Sequence, residues 1–228
     1  MESTPARKQI LDTFVRKSNL KQRVFDNTFS ALNLLKETLL EMASEMDDEL
    51  DGRLDRHVRL EYRDRGKFEA QLQVADDLLI FQMHTDVFSF PAQHPVHRNP
   101  YVADDEANGY CGVINIYNFL SDSFKYNRNA DEGYLIGRLF INRDRHYFVE
   151  GKGQDSLGAD RFGSEEIDRE ALIAVLEAAI GYSLQFDLLL PPFAYNKRVT
   201  VDQFNTRMDN SKFVTGKRLG YDFDTEEI

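Results

Sequence analysis

The sequence predicts an α+β protein: an antiparallel sheet of about six strands, in two three-stranded halves, with a long N-terminal helix and a C-terminal helix packed on one face. Three observations lead there. Strict apolar–polar alternation flanks a turn at Asp64-Arg65-Gly66-Lys67. A second alternating pair flanks Asn142-Arg143-Asp144, and an apolar spacing of three and four residues fills the first fifty positions.

The N-terminal helix starts with Ile10, Leu11, Phe14 and Val15 and continues through Leu20, Val24, Phe25, Phe29, Leu32, Leu35, Leu39, Met42 and Met46. No Gly or Pro interrupts residues 6–51, Ser18-Asn19 is a possible break into two helices, and Gly52 is a stop. Charge is segregated along this segment. Arg7, Lys8, Arg16, Lys17, Lys21 and Arg23 occupy its first half, and Glu37, Glu41, Glu45, Asp47, Asp48 and Glu49 its second. That order opposes the helix dipole, which favours acids at the N-terminus and bases at the C-terminus. An antiparallel second copy would set each basic half beside an acidic one, so a dimer seam is one expectation; a helix lying on its own sheet with solvated charges is the other.

In the first hairpin Val58, Leu60 and Tyr62 alternate with His57, Arg59, Glu61 and Arg63; Phe68, Ala70, Leu72 and Val74 alternate with Lys67, Glu69, Gln71 and Gln73. This is a hairpin with one wet face. Asp76-Asp77 turns the chain into a third strand over residues 78–90, apolar on both faces and therefore interior. Residues 91–109, with Pro91, Pro95 and Pro100, read as a long connection of a kind that is often functional. Strands resume over 110–120, 134–141 and 145–150, separated by a polar break at 121–131. A glycine-rich loop spans 151–163; Ser164 is the expected N-cap of the C-terminal helix, which runs towards Phe186, and Pro191-Pro192 stops it or the segment that follows. The division that results is a helical segment 1–52, an α+β core 53–190 and a polar extension 191–228.

Composition narrows function. The chain has 228 residues, a net charge of −11, 17 Phe, 10 Tyr, no Trp and one cysteine. Such an acidic chain repels phosphate backbones, which argues against nucleic acid as a partner. A lone Cys111 in an apolar strand forms no internal disulfide and reads as an inert core thiol. With no signal-peptide block and no membrane-crossing stretch, a cytoplasmic protein with no membrane partner is expected.

Candidate chemistry is sparse. Glu150 and Lys152 at a strand end, with Asp131 or Asp144 upstream, have the residue types with which a metal-dependent nuclease or hydrolase holds Mg²⁺ and activates water. His94 and His97, three apart, with His84 upstream, are weak metal-ligand candidates without a fuller zinc signature. The 150–158 glycines match neither phosphate-loop spacing, and no Gly-x-Ser-x-Gly is present. No cofactor is expected. The leading expectation is a non-catalytic intracellular domain that binds a protein partner, itself or a small molecule. The hydrolase built on Asp131, Glu150 and Lys152 is the alternative.

Overall fold

Thr4 opens the first element: its hydroxyl caps the amide of Arg7, and Pro5, whose missing N–H costs nothing at a helix start, begins α1 (Pro5–Leu50). In the computed structural model, residues 4–185 are described except 54, 56, 57, 59, 130 and 152–157, together with 188–189, 200–201 and 216–217. The helix is continuous through Ser18-Asn19, where neither residue is a strong enough breaker to end a run otherwise rich in helix formers. The chain turns at Gly52 with φ +68°, the stop expected there.

Six strands follow in meander order: β1 (Leu60–Asp64), β2 (Glu69–Val74), β3 (Asp77–Met83), β4 (Cys111–Leu120), β5 (Tyr134–Asn142) and β6 (Tyr147–Gly151). Every neighbour is antiparallel, so the two halves foreseen from sequence are one sheet joined by β3–β4 pairing. At the first turn Asp64 Oδ1 accepts from Gly66 N–H, at φ +97°, and from Lys36 Nζ at 2.8 Å. The Lys36 ammonium and that amide hold the Asp64 carboxyl below its ordinary range.

Some boundaries differ from expectation, for local reasons. β1 starts at Leu60, and Val58 stands outside it; His57 and Arg59 lie outside the described residues. The third strand ends at Met83 rather than running to residue 90: the His84 ring takes up the Asp86 amide and the chain bends at 85–86, so that Phe88 returns only as one bridge to Cys111. The polar break after β4 contains a short helix, α3 (Ser121–Lys125). Ser164 does not cap the C-terminal helix. Ile167 donates to Arg145 O and Glu166 bridges His146, so 164–167 stay extended; Asp168 then caps Ala171 N, and α4 runs Arg169–Leu184. Phe186, Pro191-Pro192 and the boundary at 191 lie outside the described residues, apart from a two-residue ladder of β7 (Leu188–Leu189) with β8 (Gly216–Lys217).

α1 and α4 pack on one face of the sheet, as the apolar patterns require. Leu32, Leu35 and Leu39 of α1 and Leu172, Val175 and Leu176 of α4 are fully buried against Leu72, Phe81, Ile114 and Leu139. Each such side chain contributes about 1.5–3 kcal/mol relative to exposure. From Val24 onward α1 is therefore part of the core.

The opposite face is not simply wet. Gln71 is only 5 % exposed, and Leu78 and Ile80 are buried. Farther along, residues 91–109 fold into short helical turns, including α2 (Pro100–Asp104), rather than a plain connection. They lay Val96 and Val102 over Cys111, Val113, Phe140 and Phe148, with Phe162 closing a second small core.

α1 meets β4 so closely at Thr28 that a Cβ on Gly112 would sit 2.2 Å from Thr28 Oγ1. That hydroxyl donates to Val24 O and is fixed in place. Gly112→Ala is therefore expected to destabilise the fold by about 1–3 kcal/mol, read as a lower denaturant midpoint at unchanged slope.

Candidate functional site

The sheet covers α1 only from Val24 onward. Among residues 5–22 none is buried: Ile10 and Phe14 are 67 % exposed, Val15 55 % and Leu11 51 %. These four form two i,i+4 pairs and so make one apolar stripe, on an arm about 27 Å long at 1.5 Å per residue. Scattered apolar side chains are normal on a surface, but four large ones in two helical turns are a patch. The arm carries Arg7, Lys8, Arg16, Lys17 and Lys21 against Asp12 alone, a net of +4 in a chain of −11, leaving −15 for the remainder. Among the described residues Arg7, Lys8, Lys17 and Lys21 have no carboxylate within ion-pair distance.

The root of the arm is fixed by polar contacts that the sequence did not announce. Arg23 reaches Asp144 at 3.4 Å, and Asn27 donates to the carbonyls of Asn142 and Arg143 at 3.1 and 2.7 Å. Asn142, fully buried, donates to Tyr101 Oη and Asn108 O and accepts from the amides of Asp144 and His146. Tyr101 Oη donates to Asp144 at 2.9 Å, and Arg143 bridges Asp144 to Asp105. The hydrogen bond donated by the Ala107 amide and the nearby Arg143 and Arg16 guanidiniums hold the Asp105 carboxyl below its usual range. The only sequence signal was a density of Asn and Asp around two turns.

Burial raises Tyr101 to about 12, with the Asp144 carboxylate adding to the effect. The folded state thus favours the neutral phenol. This stabilisation is complete below pH ~10 and is lost as pH rises towards ~12. Alkaline titration of unfolding free energy should show a loss of stability in that window, with a smaller slope in Tyr101→Phe.

The candidates from sequence separate. His94 Nε2 and Glu150 Oε1 lie 2.6 Å apart, Arg138 binds the other Glu150 oxygen at 2.7 Å, and His94 stacks on Phe90 at 4.5 Å. His94 Nδ1 accepts from Val96 N–H, so Nε2 carries the proton given to Glu150. Both imidazole nitrogens and both carboxylate oxygens are thereby engaged, and the pair latches the 91–99 segment onto the sheet. Asp131 lies before β5 and accepts from Ser123 Oγ at 2.7 Å, with Arg128 Nε at 3.4 Å; Lys152 lies outside the described residues. His84 accepts from the Asp86 amide and packs on Phe88, while His97 contacts Phe90 O. No three His, Cys, Asp or Glu side chains converge as a metal site among the described residues. Cys111 is wholly buried, which pushes its thiol far above the ordinary value and disfavours the reactive thiolate.

A groove of about 990 Å³ opens on the sheet face opposite α1, lined by Arg63, Arg65, Gln71, Gln73, Leu78 and Lys125 among others. Arg63 is paired with Glu61, and Gln73 with Ser121 and the Ala75 carbonyl. No described helix is long and apolar enough to cross a membrane.

Comparison with known proteins finds no matching family model, no matching curated protein and no matching solved structure.

Proposed function

We propose that the protein is a non-catalytic intracellular interaction module whose docking element is the N-terminal helical arm. The observation that carries this reading is the stripe of Ile10, Leu11, Phe14 and Val15, each more than half exposed on a helix continuous with the core. Leaving four large apolar side chains in water forgoes burial energy that a partner surface would supply. The basic flanks add long-range attraction for an acidic partner and discrimination against a basic one. The hydrolase alternative through Asp131, Glu150 and Lys152 draws less support, because Glu150 is already held by His94 and Arg138. A photocrosslinking phenylalanine analogue placed at Phe14 should give discrete covalent adducts in cells, with none from the same analogue at exposed Ser30. The absence of any Phe14-specific adduct would count against the module.

A further inference from the structure

We propose that the arm docks on a second copy of this chain, its cations lying against the acidic half of the partner copy's α1. The inference rests on the arm being the interaction element, as argued above, and names its occupant.

The complementary charges lie on one rod. From Glu37 to Glu49 the helix holds six carboxylates and no cation. Only Glu41 of these is engaged by a described cation, Arg169 of α4. Glu37, Glu45, Asp47 and Asp48 are exposed and, like Arg7, Lys8, Lys17 and Lys21 at the other end, have no opposite charge within ion-pair distance among the described residues. A monomer cannot bring the two ends of a straight helix together, whereas a two-fold axis across α1 does so twice in one antiparallel assembly. The acidic half also offers an apolar contact, since Leu40, 53 % exposed, stands among Glu37, Glu41 and Ser44. Arm-on-arm pairing is the poorer alternative, because it sets +4 against +4.

A charge-exchange experiment tests this. One full-length variant carries Lys8→Glu, Lys17→Glu and Lys21→Glu; the other carries Glu37→Lys, Glu45→Lys and Asp48→Lys. All six sites are exposed, and circular dichroism checks that both variants fold. By sedimentation velocity the wild type is expected to form a species of twice the 26.4 kDa chain mass, weakening as salt rises. Each variant alone should self-associate at least ~10-fold more weakly, while their equimolar mixture should recover a heterodimer, since one of its seams then has the wild-type charges and the other sets the introduced carboxylates beside the introduced ammoniums. A wild type that stays monomeric at every concentration overturns the proposal, as does a mixture that stays monomeric. Phe14-specific crosslinks to a different protein, or binding of a persistently monomeric chain to anionic vesicles, also overturn it. The foreign-protein adduct would leave the interaction-module reading standing, so the two failures are distinguishable.

Discussion

A helix of 46 residues presents one apolar stripe, and the six-stranded sheet covers only its stretch from Val24 onward. That mismatch in length organises the molecule. Where the sheet lies beneath it, α1 shares a dry core with α4 and every central strand. Beyond the sheet the same periodicity runs on into solvent. The contact of Thr28 with Gly112 sets how closely the helix approaches β4, and Asn27 and Arg23 tie it to the β5–β6 turn just where support ends. The exposed arm is thus a geometric remainder of a core-forming element, and its apolar face needs no separate design.

The second face of the sheet follows a different logic. The segment between β3 and β4 has too many prolines to pair as strand and too few periodic apolar residues to form a long helix. It adheres at points instead: Val96 and Val102 fill gaps over Phe140 and Phe148, and His94 fastens to Glu150. Asn99 does the work of a strand edge, donating to the carbonyls of Ala159, Asp160 and Phe162 while accepting from Tyr101. Irregular chain can bury polar backbone in this way only when side-chain amides take over the ladder's hydrogen bonds.

Much of the fold was legible because it obeys short periods. The hairpin at Arg65-Gly66 is read from alternation within a dozen residues, and α1 from its three-and-four spacing. What escaped depends on distant partners. Asp168 displaces Ser164 as a cap because Arg145 holds Ile167. The arm escaped for a subtler reason, since an amphipathic stripe looks identical whether or not a sheet lies under it. Among site candidates, His94 and Glu150 stood out separately for other chemistry, and 56 residues of separation concealed that they meet. Asn142 was legible only as a turn residue and Tyr101 not at all, because a buried polar hub is defined by its partners and not by its own residue types.

The continuity of α1 across its root has a consequence for how the arm acquires order. An isolated 18-residue helix in water must nucleate its own first turn and is marginal. Here the first turn already exists in the packed half, so the arm only propagates, adding one hydrogen bond for each residue fixed. Its helicity is therefore inherited from the core and fades towards Pro5, with protection against amide exchange expected to decline turn by turn from Val24 outward. Whatever binds the tip extends that gradient, and the core and the docking face form one cooperative strand of order rather than two units joined by a hinge.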